Sequence, residues 1–222
     1  MPLAPAHPAV VLPLRRLGLP LTALVVGAMA PDAPVYLPVG VGYRTAHSWP
    51  GLLVASVVGL VLLVLWSFVV RDAVVDLVPA LRRRLPLRDR PDARAWWLAP
   101  VAVLVGVGTH LLWDAATHDW GFLVEDLAFL RTEHASLPLY RWLQHASTVV
   151  GTLVVAAYGV VGLRRRPVRP RTAEVRRPGL WWAPVLLGGL AAGGLGVEAA
   201  VGVVLVALLV VSITWQIHAR RR

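Results

Sequence analysis

In the stretch THLLWDAATHDW, residues 109–120, three side chains are spaced to act together: His110, Asp114 and His118 stand four residues apart. On an α-helix that spacing stacks them on one face. The stretch continues an apolar run from Trp96, so the ladder lies inside or at the mouth of a membrane-crossing helix. Ionisable groups at that depth are costly unless they are paired, bind a metal or line a wet pocket. Imidazole and carboxylate without thiolate suit zinc first, then manganese or iron. The chain has no cysteine, which excludes thiolate ligands, disulfides and cysteine nucleophiles. A metal held by an incomplete protein shell acidifies water in its open position, and hydrolysis is the simplest chemistry that follows.

The elements that must position these groups are membrane helices. Of the 222 residues, 57% are hydrophobic and only 15% charged, against roughly 25% charged in ordinary soluble domains. Apolar runs at 50–70, 96–117, 145–163 and 180–217 approach the ~20 residues that cross a bilayer, and barrel-type alternation is absent. The last run is too long for one crossing. Its middle, GGLAAGGLGVEA at 188–199, predicts a tight turn between two helices, with Glu198 at the turn. The expected class is therefore an all-α polytopic helical bundle with about five full spans and a short N-terminal re-entrant or interfacial helix. Three parts follow: a membrane domain over 1–165 carrying the polar site, a basic loop over 166–179, and a C-terminal hairpin with a basic tail over 180–222.

Charge sets the orientation. The net charge of +10 comes from arginine alone, with seven arginines in 71–95 and seven in 164–179 beside apolar spans. That is the positive-inside pattern of a multi-pass plasma-membrane protein, and it argues against nucleic acid as partner. The bilayer itself and anionic lipid headgroups are the expected contacts of these loops. Residues 118–144 are acidic by comparison and should face outward, and Arg220–Arg222 should leave the C-terminus cytoplasmic. The tryptophan pairs in ARAWWLAPV and PGLWWAPV read as interface anchors. Lysine-free, Ala/Val/Gly/Pro/Arg-rich usage looks bacterial, and MPLAPAHPAVVLPLRRLG does not resemble a cleaved leader.

His110 lies fourteen residues beyond Trp96, roughly 21 Å along a helix in a ~30 Å core, which puts it in the outer half. The span at 50–70 runs the other way and brings His47 to the same boundary. Asp32, at the end of a short apolar run from Arg16, can also reach it. If residues 17–30 crossed fully, His7 would be far from Asp32; if they fold back, both share one face. The expected cluster is Asp32, His47, His110 and Asp114, with His7, His118 and His145 as candidates to join. The competing reading is a purely structural polar network. Glycines 106, 108 and those crowding 188–196 are read as close-packing positions. No phosphate-binding glycine loop, Gly-x-Ser-x-Gly elbow or HExxH motif is present.

AHPA at 6–9, APD at 30–32, YRTAHSWPGL at 43–52, GVGTHLLWDAATHDWG at 106–121 and PLYRWLQHASTVVG at 138–151 form an ordered set. Together they resemble the bacterial domain of unknown function family 4184. That family is in turn similar to inner-membrane proteins described as metal-dependent hydrolases, and distantly to zinc-dependent phospholipases C. The resemblance implies a metal centre of His7, Asp32, His47, His110 and Asp114, and a folded-back N-terminus that lets His7 join. The chain departs from the broader pattern in two places. Pro34 follows Asp32 by two where a second acidic residue is usual, and Tyr43, Arg44, Thr45 and Ala46 replace a basic lead.

The expected activity is metal-dependent hydrolysis of an ester or phosphoester, plausibly of a lipid, at the outer face. His118 or Asp119 would serve as general acid or base. Arg44, Arg141 and His145 are candidates for substrate contact, since a guanidinium binds phosphate bidentately. The alternative is a non-catalytic membrane scaffold or accessory protein using the same buried His/Asp groups structurally.

Overall fold

The computed structural model describes residues 4–169 and 178–219. It is predominantly helical, and the strands among the described residues are the pair Glu133–His134 and Leu137–Pro138, two residues each. Seven helices carry the argument: α1 (Pro8–Val11), α2 (Leu21–Met29), α3 (Leu52–Leu77), α4 (Ala93–Thr117), α5 (Leu139–Arg164), α6 (Pro178–Ala192) and α7 (Val197–Ala219). Among the described residues, five helices are long and apolar enough to cross a membrane: α3, α4 with its extension to Asp126, α5, α6 with the turn to Leu195, and α7. The chain is a polytopic helical membrane protein. The long terminal run does split, and Gly196 takes a φ of +106° in the turn, a conformation that disfavours any side chain. Glu198 follows in the first turn of α7. Arg171, Arg176, Arg177 and Arg220–Arg222 lie outside the described residues.

The described chain forms two compact units. The first comprises residues 4–34, 38–62 and 93–160, and its core is the contact of α2 with α4. Both helices bury mostly small residues: Ala23, Gly27 and Ala28 beside Leu24 on α2, and Ala99, Ala102 and Gly106 beside Val103 on α4. A methyl group built on Gly27 would overlap the Val103 carbonyl, and one on Gly106 the Leu24 carbonyl. The backbones touch, which is how helices associate in lipid, where no hydrophobic force drives them together. Gly106, His110 and Asp114 continue one another at four-residue steps, so the face that packs on α2 is the face that carries the ladder.

At nine residues α2 is roughly 14 Å long, less than half a bilayer core. Before it, the turns at Pro8–Val11 and Pro13–Leu17 end at Gly18, whose φ of +78° reverses the chain. The N-terminal segment thus folds back and returns Asp32 to the neighbourhood of His7, which a full crossing would forbid.

The second unit contains residues 35–37, 63–92, 161–169 and 178–219. Its core joins Ala73 and Leu77 of α3 to Val185 of α6 and to Val211 and Trp215 of α7. Two buried carboxylates anchor it. Asp72 accepts hydrogen bonds from Arg71 (2.8 Å), Arg90 (2.9 Å) and the backbone N–H of Arg88 (3.1 Å). Asp76 accepts from the Trp215 indole at 3.0 Å and pairs with Arg82 at 3.4 Å. Several loop arginines read as membrane-facing charge are therefore also internal partners, as buried carboxylates require. The tryptophan pairs diverge too. Trp97 is 84% exposed, as an anchor should be, whereas Trp182 packs on the second core and donates to the Leu77 carbonyl at 3.3 Å.

Candidate metal centre

Each functional side chain is delivered by a local feature of its own segment, all within the first unit. His110 and Asp114 come from successive turns of α4, and His118 follows its last residue, its backbone N–H still bonded to the Asp114 carbonyl at 3.0 Å. Asp32 closes the 3-10 turn Ala30–Asp32 that ends α2, where Pro31 stops the α-helical ladder. His47 caps the short helix Tyr43–Ala46. Immediately after it, the Ser48 hydroxyl donates to the Thr45 carbonyl and accepts from the Gly51 N–H, turning the chain into α3. His7 stands just before Pro8, at the entry to α1. All six side chains are buried.

They converge. His47 Nε2 lies 3.2 Å from His110 Nε2, 3.3 Å from Asp32 Oδ1 and 3.5 Å from Asp114 Oδ2. His110 Nε2 lies 3.2 Å from Asp114 Oδ2 and 3.8 Å from Asp32 Oδ1. On the far side of the same carboxylate, Asp114 Oδ1 is 3.5 Å from His118 Nδ1 and 3.8 Å from His7 Nε2. The His7 ring stacks on that of His110, with centroids 3.8 Å apart.

The tautomers follow from the outer hydrogen bonds. His110 Nδ1 donates to the Ala28 carbonyl at 2.8 Å, and His47 Nδ1 donates to the Tyr43 carbonyl at 3.0 Å. With Nδ1 protonated in each neutral ring, both Nε2 atoms carry lone pairs. Two lone pairs then face each other at 3.2 Å beside two carboxylates, an arrangement that calls for a cation. Metal-binding histidines are held in this way, with the second nitrogen donating to a backbone carbonyl. Four ligands at 2.0–2.1 Å from a tetrahedral metal stand about 3.3 Å apart. Five of the six edges defined by His47 Nε2, His110 Nε2, Asp32 Oδ1 and Asp114 Oδ2 fall between 3.2 and 3.8 Å. Those five distances fit the ion, and the ligand atoms form two mutually close triads that share His110, namely Asp32–His47–His110 and His7–His110–Asp114. Asp114 Oδ1, buried without a hydrogen-bond partner, adds an acceptor in need of positive charge. Burial, reinforced by the neighbouring His110, pushes His7 down to about 4, so His7 is neutral near pH 7 and offers a lone pair.

The sequence matches the family described as Domain of unknown function (DUF4184) over residues 1–220. The chain belongs to that family. No curated protein and no solved structure matches it significantly. The DUF4184 match extends past residue 151, where the quoted motifs stop, and takes in the C-terminal hairpin.

Of the residues singled out in this DUF4184 chain, His7, Asp32, His47, His110, Asp114 and His118 come together. Asp119, Arg44, Arg141 and His145 do not; all four are exposed, and the Arg141 guanidinium lies 5.8 Å from the Tyr140 ring centre. Three neighbours escaped the sequence reading. Gln144 is buried, with its amide nitrogen 3.2 Å from His118 Nε2, and so orients that ring. Trp120 lies beside both His118 and His47, with ring centres 5.0 and 6.1 Å away. The Tyr43 ring packs against that of His47 at a tilt, with centres 3.9 Å apart. Gln144 sits in the quoted PLYRWLQHASTVVG motif next to His145. Consecutive helix positions differ by about 100°, so helix phase was the signal that separates them.

Proposed function

We propose that this protein is a membrane-bound metal-dependent hydrolase acting on an ester or phosphoester, with zinc the best-suited ion. The observation that carries the reading is the pair of imidazole Nε2 atoms facing each other at 3.2 Å beside Asp32 and Asp114, with both Nδ1 positions committed to backbone carbonyls. His47, His110, Asp32 and Asp114 would hold the metal, and His7 would complete or adjust the shell. A metal held there supplies a Lewis acid and lowers the pKa of water at its open position.

The remaining residues have separable tasks. His118, oriented by Gln144 and close to Asp114 Oδ1, is placed to accept or return a proton at the edge of the cluster. It takes the acid–base role that was open between it and Asp119, whose side chain is exposed. Trp120 lies beside the His118 and His47 rings at the edge of the cluster. Arg44 and Arg141, being exposed, serve at most as approach charges for an anionic headgroup. The positive-inside pattern supports a bacterial plasma-membrane setting with the site toward the outer face and the C-terminus cytoplasmic.

Hydrolysis by protein reconstituted in nanodiscs tests the reading, with bis(p-nitrophenyl) phosphate and p-nitrophenyl acetate as probes. Turnover of at least one probe is expected, lost on chelation and restored by zinc. His118→Ala should lower kcat by about 10²–10⁴-fold while metal content stays the same. Turnover indifferent to chelator and to His110→Ala would contradict the proposal. The second reading, a structural polar network, is favoured by the same His110 to Ala28 hydrogen bond, which ties α4 to α2.

A further inference from the structure

A cavity of about 320 Å³ opens beside the cluster, between the N-terminal turns, α4 and the first half of α5. Its size falls at the low end for ligand pockets, about 300–1,000 Å³. Ala9, Val10, Trp113, Leu143 and Val150 make its walls apolar. Two lining residues carry polar side-chain groups beyond the Trp113 indole. The Ser147 hydroxyl is already committed, donating to the Gln144 carbonyl at 3.0 Å. The other is His7, which is 4% exposed; its Nδ1 is buried with no hydrogen-bond partner while its Nε2 faces Asp114. His7 is thus the partition between an apolar chamber and the polar cluster.

The cavity is open on the side of Val10 and Val150, both exposed, and a buried nitrogen without a hydrogen-bond partner beside it is rare. One occupant answers both features: an amphiphile whose unbranched hydrocarbon chain fills the chamber and whose polar end reaches His7. We propose that this cavity is the chain-binding subsite for a single-chain or multi-chain lipid ester or phosphoester. The inference rests on the hydrolase reading for what happens to the polar end, but not for the seating of the chain. α5 supplies one wall and is itself a candidate span, so a lipid chain can enter laterally without crossing water. Gly151 closes one end of the chamber, where a methyl group would press on the Ala6 carbonyl at 2.8 Å.

Ethyl-, hexyl- and decylphosphonate, titrated into the full-length protein in phosphatidylcholine nanodiscs, test the subsite. Ala146→Trp and, independently, Ala9→Phe fill the chamber from opposite walls; neither residue belongs to the metal cluster. Wild-type affinity should rise with chain length by more than tenfold from ethyl to decyl, beyond partitioning into protein-free discs. Both filling variants should lose at least tenfold for decylphosphonate and less than twofold for ethylphosphonate, at unchanged metal content. Equal affinity across the series, or filling variants that bind decylphosphonate like wild type, would overturn the subsite. Chain-length dependence that survives in the chelated protein supports the chamber; ethylphosphonate released by chelator supports the metal, whereas ethylphosphonate binding unchanged by chelator counts against the metal and leaves the chamber standing.

Discussion

Chelation lowers the melting temperature of the wild-type protein by about 5–10 °C and leaves a His110→Ala/Asp114→Ala double variant unmoved. The magnitude follows from linkage. A ligand at a hundred times its dissociation constant contributes about 2.7 kcal/mol to the folded state, and each kcal/mol shifts the midpoint about 2–4 °C in a chain of 150–250 residues. The direction follows from the cluster. Without a cation, two imidazole lone pairs and two carboxylates confront one another at 3.2–3.8 Å in a buried site. Removing the ion therefore exposes a repulsion that the double variant no longer has. A purely structural network behaves differently: the double variant would melt well below wild type, and chelator would change neither. The two readings share every contact, and the chelator response separates them.

Gly106→Val abolishes the approach of α4 to α2, whereas Gly108→Val, two residues along the same helix, is nearly silent. A side chain at Gly106 meets the Leu24 carbonyl and the Ala28 backbone nitrogen, while one at Gly108 meets no atom within 4 Å. Overpacking typically costs about 1–3 kcal/mol, and a clash with unyielding backbone lies at or above the top of that range. Substitutions in open space stay within about 0.5 kcal/mol. The consequence reaches the site, because Ala28 orients His110 and α2 ends at Asp32. Thermal melting in detergent should place Gly106→Val roughly 6–12 °C below wild type, with Gly108→Val within about 2 °C. Gly27→Val should resemble Gly106→Val, since it strikes the Val103 carbonyl from the opposite helix. Metal affinity should fall with the first and third variants and be preserved in the second.

That contrast marks where the sequence was readable and where it was not. Residue type and spacing were enough to name His110 and Asp114, because a four-residue period on an apolar helix leaves few alternatives. The terminal hairpin was readable for a similar reason: a run too long to cross once, with glycine in its middle, must turn. Glycines 106 and 108 looked alike because spacing says that a helix has a small face, but only the partner's position says which glycine lies on it. The same ambiguity exchanged His145 for Gln144, adjacent on α5 but on different faces. His7 was legible only as a candidate, since its arrival depends on a chain reversal at Gly18 and on the short length of α2; the family resemblance favoured the folded-back reading that brings it in. Arg44 and Arg141 were chosen for chemistry that a guanidinium can do, yet both are exposed and neither joins the cluster. Asp72 and Asp76 passed unnoticed inside a basic stretch, where arginine excess suggested topology and concealed two buried carboxylates in need of partners.

The central claim is that His47, His110, Asp32 and Asp114 enclose a cation. Elemental analysis combined with X-ray absorption on the protein purified from zinc-supplemented cells tests it most directly. The expected result is bound metal with nitrogen and oxygen neighbours only, at about 2.0–2.1 Å, and occupancy that collapses in His110→Ala and in Asp114→Ala. Wild-type protein that holds no metal, or occupancy indifferent to both substitutions, would contradict the account.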